Sequence, residues 1–229
     1  MRQLQLQPRL QLLSSLIPEG SRLADVGTDH GYVPVYLLQR GLIESAIASD
    51  IGAEPLQHAK NTAEEYEVEG IDFRLCPGLD AIAPNECDTI LIAGMGGETI
   101  ITILENAPWT KRGDHLLLLQ PMTKVEILRK WLADNGYTFT GERLVFDKDY
   151  LYPIMLVRGG RQKKLSLAQQ YGGVMLDGDV LYGEYLDERI MKLTVAIDGL
   201  MRAKNEAQRA TAEEMDTIRT ALVEKRRSI

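Results

Sequence analysis

Strand-like and helix-like segments alternate from residue 21 to about residue 158, and this alternation constrains the fold more than any other feature. Short apolar runs read as strands, and the stretches between them carry apolar residues at helical spacing. The predicted strands are residues 22–26, 45–50, 71–75, 89–93 and 115–120, and the predicted helices between them are residues 32–40, 54–67, 97–105 and 125–135. Such alternation predicts βαβ units and a parallel sheet with helices on both faces.

Two further segments flank this alternation. A helix is predicted at residues 8–16, with Pro18 ending it. After Gly136, residues 137–146 and 150–157 read as two strands joined by the polar turn Asp147-Lys148-Asp149, which predicts a closing hairpin and one antiparallel strand. Five parallel strands with a closing hairpin are typical of an α/β, Rossmann-like sheet of the class I methyltransferase kind.

The composition shifts after residues 159–164, which we take as the boundary between a domain of residues 1–160 and one of residues 161–229. From about Gly183, apolar residues recur at helical spacing in two runs separated by a polar link at residues 209–211. Two long helices packed as an antiparallel coiled coil fit this pattern. Most charges there are expected to be solvated, but some could form a basic stripe: Lys192, Arg202, Lys204, Arg209, Arg219, Lys225, Arg226 and Arg227.

The amino-acid composition excludes only a few classes of protein. The formal net charge of −7 argues against a protein coated in positive charge, but RNA binding needs only a local basic patch. Cys76 and Cys87 form no metal-binding pattern and are expected to be reduced thiols of a cytoplasmic protein. No secretion signal or membrane span is expected from the polar, glutamine-rich start or from the apolar runs. A monomer is favoured.

The first predicted strand runs into a glycine-containing turn, Asp25-Val26-Gly27-Thr28-Asp29-His30-Gly31. This is where open α/β sheets bind their ligands. The spacing differs from Gly-x-Gly-x-x-Gly, and two carboxylates would repel a pyrophosphate. A ligand with hydroxyls and a positive charge, such as S-adenosylmethionine (SAM), suits this turn better. The alternative is a tight turn in which Asp25 caps the helix.

Two more strand ends carry acidic residues. Asp50 closes the second strand about 20 positions after Gly31, where a carboxylate accepts hydrogen bonds from ribose hydroxyls in related folds. Asp50 could instead cap the helix that begins near Glu54. Gly78-Leu79-Asp80 follows the third strand, where the carboxylate could accept from an adenine amino group, although a simple turn explains it equally well.

The fourth strand ends in Ala93-Gly94-Met95-Gly96-Gly97. So many glycines indicate close approach of cofactor and substrate, and a helix N-terminal turn is compatible with this. Methyltransferases that modify exocyclic amino groups usually carry an Asn/Asp-Pro-Pro-aromatic motif at this point. Its absence from the sequence favours a ring nitrogen as the methyl acceptor.

The three histidines show no metal-ligand spacing. His58 and His115 are expected to be structural or solvated, and His30 is a site candidate because it follows Asp29. No nucleophile elbow is present, so a hydrolase is unsupported.

Five blocks of sequence stand out: residues 8–10 (Pro-Arg-Leu), 23–34 (Leu-Ala-Asp-Val-Gly-Thr-Asp-His-Gly-Tyr-Val-Pro), 92–97 (Ile-Ala-Gly-Met-Gly-Gly), 119–121 (Leu-Gln-Pro) and 149–152 (Asp-Tyr-Leu-Tyr). They resemble the bacterial tRNA adenine-N1 methyltransferases that modify A22 in the D-arm, and the Asp-His-Gly-Tyr and Ala-Gly-Met-Gly-Gly blocks together make this resemblance specific. The resemblance covers about residues 4–158. It implies a SAM-dependent domain followed by a coiled-coil domain that helps to hold tRNA.

The resemblance and the strand-end positions together predict the site. The predicted cofactor residues are Asp25, Gly27, Asp29, His30, Gly31, Asp50, Ile51, Gly78, Leu79, Asp80, Ala93, Gly94 and Met95. Asp29 is the catalytic candidate, with Met95 and Asn61 shaping the pocket. Tyr32 and Arg9 are predicted to contact the substrate, although Arg9 could be a solvated charge. No metal is expected.

The chain is therefore expected to methylate N1 of an adenine in tRNA. Two other functions stay open at this point. One is a small-molecule methyltransferase of the same fold, because fold does not fix substrate. The other is a SAM-binding RNA-interaction protein without turnover.

Overall fold

The computed structural model describes residues 2–202 and 206–229. Within these residues, seven strands form one sheet in the order β3-β2-β1-β4-β5-β7-β6. The strands are β1 (Ser21–Val26), β2 (Ile43–Asp50), β3 (Ile71–Leu75), β4 (Thr89–Gly96), β5 (Leu116–Thr123), β6 (Tyr137–Asp147) and β7 (Tyr150–Gly159). The helices are α1 (Pro8–Leu16), α2 (Tyr32–Gln39), α3 (Ala53–Glu65), α4 (Gly97–Asn106), α5 (Val125–Asp134), α6 (Leu167–Gly172), α7 (Tyr182–Met201) and α8 (Glu206–Arg227).

The sheet is parallel except for its closing hairpin. Strands β1 to β5 run in the same direction, and β7 is antiparallel to both of its neighbours, β5 and β6. The predicted Rossmann-like sheet with one antiparallel strand is confirmed. The chain order reverses between β1 and β4, and such a reversal opens a crevice at the carboxyl ends of the strands.

Buried side chains fill both faces of the sheet. Ile90 and Ile92 of β4 pack with α4 and α5 on one face, and Leu91 between them packs with α1 and α2 on the other. All three are at most 1% exposed. Alternation of side chains along a strand that is buried on both faces explains why β4 is apolar without interruption.

Two details differ from the sequence predictions. A short 3-10 helix at Pro108–Arg112 and helix α6 were not predicted, because both are too short to show a periodic pattern. The polar link predicted at residues 209–211 is wrong, because these residues lie inside α8. The chain leaves α7 after Met201 and enters α8 at Glu206, and Lys204 lies outside the described residues.

Helices α7 and α8 are the longest described, and they pack against each other in opposite directions. Arg226 near the end of α8 reaches back to the start of α7, where its Nε lies 2.9 Å from Asp187 Oδ1. Leu222 of α8 and Leu186 of α7 are fully buried together. None of the described helices is both long enough and apolar enough to span a membrane.

The two C-terminal helices are attached to the sheet by a shared core. Leu144 and Leu151 of the hairpin belong to the same buried cluster as Leu186 and Leu222. Beside this cluster, Arg129 Nε of α5 donates to Glu142 Oε1 of β6 at 2.9 Å, and both side chains are 0% exposed. Glu142 Oε2 also accepts from the backbone amides of Val174 and Met175, so cutting the chain at the predicted boundary near residue 160 would take these donors from a buried carboxylate and expose the shared core.

Four of the eight residues of the predicted basic stripe are neutralised by ion pairs. Lys192, Arg219, Lys225 and Arg226 form ion pairs with Glu188, Asp216, Asp177 and Asp187, respectively. Arg202, Arg209 and Arg227 form no ion pair with the residues that the structure describes. Arg202 and Arg209 flank the connection between α7 and α8, which places them at the end of the helix pair away from the sheet.

Candidate functional site

A cavity of ≈ 750 Å³ opens at the carboxyl ends of the strands, where the chain order reverses. Its volume is in the range of small-molecule and cofactor sites. The carboxyl ends of β1, β2 and β4, and the segments after β1, β2 and β3, all contribute to its wall. Thirteen of the predicted site residues line it: Arg9, Asp25, Gly27, Asp29, His30, Tyr32, Asp50, Ile51, Gly78, Asp80, Ala93, Gly94 and Met95.

The turn after β1 is held in a left-handed conformation by β2. The backbone amides of Gly27 and Thr28 both donate to Ser49 O, at 2.8 and 3.0 Å. Gly27 and Gly31 have φ of 70° and 65°, which glycine adopts without strain, and Asp29 adopts a φ of 50°. The chain therefore curls around the cavity and leaves the Asp29 side chain 65% exposed at its mouth.

Gly31 has a different role from the one predicted, because it does not line the cavity. A Cβ atom at this position would lie 3.0 Å from Ala59 Cβ and 3.3 Å from Ala59 Cα. Gly31 therefore lets the β1–α2 turn rest directly against α3.

Asp25 lies at the back of the cavity and is 6% exposed. Burial raises the pKa of its carboxyl from 3.8 to about 6, with the negative charge of Asp50 adding to this effect. Thr28 Oγ1 donates to Asp25 Oδ2 at 2.6 Å and partly offsets the rise. A carboxylate that is buried away from water is suited to bind a positively charged ligand.

Replacing Asp25 by asparagine should stabilise the free protein above pH 7. A carboxyl whose pKa is higher in the folded than in the unfolded state supports folding below pH 3.8, and this support is lost as the pH rises through about 6. The Asp25→Asn protein should therefore exceed the wild type in stability by at most about 3 kcal/mol at pH 8, with a smaller difference at pH 5. Thermal melting of both proteins from pH 5 to 8 tests this, and a difference that does not change with pH would contradict it.

Asp50 lies at the end of β2 and is held by backbone amides. Its Oδ1 accepts from Gly52 N at 2.9 Å, and its Oδ2 accepts from Asp29 N at 3.3 Å. Asp50 thus orders the segment that enters α3, although the N-cap residue is Gly52 and no described side chain caps the helix, and it also faces the cavity. Contact with a ribose stays a prediction that is compatible with these bonds, because a carboxylate has lone pairs for several donors.

The glycines after β4 serve two purposes. Gly94 lines the cavity, as predicted, but Gly97 does not. A Cβ atom on Gly97 would lie 2.5 Å from the backbone oxygen of Lys124, so this glycine allows α4 to begin against the β5–α5 connection. The expectation that all these glycines serve cofactor and substrate is therefore corrected for Gly97.

Arg9 links the cavity to the hairpin. Its Nη1 donates to Gln120 Oε1 at 2.7 Å, and its Nε lies 3.4 Å from Asp147 Oδ2. The same Gln120 oxygen accepts from Gly94 N at 3.1 Å. Arg9 is thus a tethered charge at the wall of the cavity, with 21% of its side chain exposed, and not a freely solvated one.

Two other predicted site residues do not reach the cavity. Asn61 is exposed on α3, where its Oδ1 accepts from Gln57 Nε2 at 2.9 Å. Leu79 is 3% exposed and packs into the main core. The assignments of Asn61 to the target pocket and of Leu79 to cofactor contact are corrected accordingly.

Sequence reasoning missed one face of α4, which lines the cavity at the helical spacing of Glu98, Thr99, Thr102, Ile103 and Asn106. It also gave no role to Gln120, which is fully buried and accepts hydrogen bonds from Arg9 and Gly94 of the cavity wall. A single polar residue after the apolar run Leu116 to Leu119 was the signal for it.

The histidines come together in a way that their spacing did not indicate. The rings of His30 and His58 stack at 5.0 Å with an interplanar angle of 8°, and the rings of His30 and Tyr32 stack at 5.1 Å. Ligand atoms of Asp29, His30 and His58 all lie within 4.8 Å of one another. The sequence spacing of the histidines gave no sign of this packing, and the expectation that no metal is bound stays a prediction.

Comparison with known proteins agrees with this geometry. The sequence model of a family described as "Methyltransferase domain" matches residues 6–155. The chain is 33% identical over 187 residues to the tRNA (adenine(22)-N(1))-methyltransferase of Bacillus subtilis, and the match covers 81% of this chain and 76% of that protein.

Two solved structures are similar over nearly the whole chain. The B. subtilis M1A22 tRNA methyltransferase TrmK superposes with a TM-score of 0.87 at 27% identity, covering 97% of this chain and 99% of that one. TrmK of M. capricolum, solved with the natural cofactor product S-adenosylhomocysteine, gives a TM-score of 0.81 at 25% identity, covering 96% and 97%. The similarity thus includes the C-terminal helices.

Proposed function

Because the chain belongs to the tRNA (adenine(22)-N(1))-methyltransferase family, we propose that it transfers a methyl group from SAM to N1 of adenine 22 in tRNA. The proposed substrate is tRNA in the cytoplasm, and the enzyme is proposed to act there as a monomer.

One observation carries the cofactor assignment. Asp25 and Asp50 lie at the carboxyl ends of β1 and β2, Asp80 follows the neighbouring strand β3, and all three face one cavity. Three carboxylates would repel a phosphate-bearing nucleotide, but they fit a ligand with an ammonium group, a ribose and an adenine amino group. SAM has these groups, and when it is bound it supplies a methyl group activated by a sulfonium charge.

The three carboxylates are proposed to have separate roles. Asp25 is buried deepest and faces the ammonium group, whose charge would favour its ionised form. Asp50 accepts hydrogen bonds from the ribose hydroxyls, with the lone pairs that Gly52 and Asp29 leave free. Asp80 accepts from the amino group of the cofactor's adenine.

The target adenine must leave its stack to enter the mouth of the cavity. Tyr32 is 38% exposed at this mouth, and Met95 lies beside Gly27 in the wall. Alkylation at N1 turns a neutral ring into a cation. Asp29 is proposed to stabilise this charge or to accept a proton from the amino group of the target.

Helices α7 and α8 are proposed to form a coiled-coil arm, within the domain of residues 161–229, that adds tRNA affinity without taking part in catalysis. Arg202 and Arg209 near its free end are the best candidates for phosphate contacts, because no described acidic side chain pairs with them. We expect the double substitution Arg202→Glu and Arg209→Glu to weaken tRNA binding and to reduce the slope of log affinity against log salt by about two. Filter binding at several salt concentrations measures both quantities.

A matched control has the same change in net charge. In the protein with Lys192→Glu and Arg219→Glu, the substituted residues come from existing ion pairs, so the salt slope should change less. SAM binding should be unchanged in both proteins. Equal losses of tRNA affinity in the two proteins would contradict the proposal that the free end of the arm contacts tRNA phosphates.

Transfer of label from radioactive SAM separates the candidate functions. Labelled product in unmodified total tRNA, and none in a pool of small metabolites, is expected. Label in metabolites alone would identify a small-molecule methyltransferase, and binding of SAM and tRNA without labelled product would identify an RNA-interaction protein.

A further inference from the structure

Two imidazoles and one carboxylate meet beside the mouth of the cavity. Asp29 Oδ2 lies 3.7 Å from His30 Nε2, and one ligand atom from each of Asp29, His30 and His58 lies within 4.8 Å of the other two. We propose that these three side chains bind a divalent transition-metal ion, with Zn²⁺ as the best match, and that the bound ion inhibits methyl transfer.

Packing of the scaffold assembles this group from two elements that are distant in the sequence. Asp29 and His30 belong to the β1–α2 turn, and His58 belongs to α3. The turn can rest on α3 only because Gly31 has no Cβ to meet Ala59, the residue next to His58. The backbone amide of Asp29 is also tied to Asp50, so the turn is fixed from both sides.

The donor set selects the kind of metal. Two imidazole nitrogens and one carboxylate oxygen suit Zn²⁺ and its neighbours, whereas Mg²⁺ and Ca²⁺ prefer oxygen ligands alone. In a tetrahedral zinc site with bonds of 2.0–2.1 Å, ligand atoms lie about 3.3 Å apart. The observed separations, up to 4.8 Å, are larger, so metal binding needs side-chain rotations that also turn the two stacked imidazoles until their nitrogens converge on one ion.

The exposure of these side chains leaves room for such rotations and lets the ion reach them from solvent. The side chains of Asp29 and His30 are 65% and 42% exposed, and His58 is half-buried. Three protein ligands leave a fourth position for water, as in open zinc sites.

Inhibition follows from the identity of one ligand, and this step rests on the proposed function. A metal ion would occupy the carboxylate lone pairs that Asp29 offers to the target adenine. It would also place a positive charge where the methylated ring becomes a cation, which disfavours the transition state. Metal binding itself requires no methyltransferase activity.

Calorimetric titration of the tag-free, full-length protein with zinc chloride tests the site. We expect one ion per chain, and His58→Gln should weaken binding by about tenfold or more, because even residues outside the ligand shell change metal affinity by this much. His58→Cys should retain binding, since a thiolate is a zinc ligand. Glu64→Gln changes an exposed carboxylate on the same helix and should leave affinity unchanged. Undetectable binding, or equal affinity in the wild type and His58→Gln, would overturn the proposal.

Methyl transfer with and without zinc tests the inhibition. His58 does not line the cavity, so His58→Gln should match the wild-type rate in metal-free buffer. Zinc should slow the wild type and not the variant, and equal slowing of both would overturn the inhibitory role. If neither protein transfers methyl groups, the proposed function fails, while the calorimetric titration still decides whether the metal site exists.

Discussion

The Asp29→Asn protein should methylate tRNA more slowly than the wild type by on the order of 10²-fold or more, the scale for losing one preorganised electrostatic group. The reaction creates positive charge on the adenine ring, so a fixed carboxylate helps the transition state more than the ground state. Asparagine keeps the shape of the side chain and removes its charge. The backbone amide of Asp29, which donates to Asp50, is also kept.

Single-turnover kinetics at saturating SAM and tRNA measures this effect without interference from binding. Affinities for SAM and for tRNA should change little in Asp29→Asn. A wild-type rate would remove Asp29 from the chemistry, and a loss confined to SAM affinity would reassign it to the cofactor. The zinc inhibition should also weaken in this variant, because one of the three proposed ligands is altered.

Asp50→Ala should lower SAM affinity by 1.5–3 kcal/mol, or roughly 10- to 150-fold, the range for hydrogen bonds to a charged group. The same substitution removes an acceptor from the amides of Gly52 and Asp29, so part of the loss could come from a disturbed turn. Asp50→Asn separates the two effects, because the amide oxygen can still accept from Gly52 while the second carboxylate oxygen is lost.

Calorimetric titration with SAM provides the measurement, and thermal melting reports on the turn. If Asp50 holds the ribose, both variants lose SAM affinity, and Asp50→Asn melts close to the wild type. Asp114→Ala, an exposed carboxylate away from the cavity, serves as the control and should bind SAM normally. An unchanged dissociation constant in Asp50→Ala would remove this residue from the site.

The sheet could be predicted because its signals are local. A strand buried on both faces must be apolar throughout, and a polar residue such as Asp25 or Asp50 then marks its end. In a parallel sheet these ends meet at one edge, so the sequence alone was enough to place both residues at the same cavity. The helices between the strands were found for the same reason, from their apolar spacing.

The sequence could not place those residues whose positions depend on tertiary packing. Gly31 was expected to approach a ligand, but it approaches Ala59 of α3 instead. The stacking of His58 on His30 was not visible in the sequence either, because only the contact between α3 and the β1–α2 turn brings the two rings together. Asn61 points away from the cavity, because the helix directs it to solvent. No sequence spacing contains this information.

The arm formed by α7 and α8 shows a second limit of prediction from sequence, which concerns surface charge. Its helices follow from apolar periodicity, but the effective charge of its surface depends on which side chains meet. Arg226 looked available in the sequence and is paired with Asp187 in the structure. The break between α7 and α8 was placed too late, because the polar residues Arg209 and Thr211 remain helical on an exposed face.

The central claim is that this chain methylates N1 of adenine 22 in tRNA. Its most direct test is to incubate the wild-type protein with SAM and a single unmodified tRNA transcript, and to map the product by nuclease digestion and mass spectrometry. We predict one added methyl group, on N1 of A22, and none in a transcript in which guanine replaces A22. A methyl group at another nucleotide, on the exocyclic nitrogen of A22, or equally in both transcripts would contradict this account.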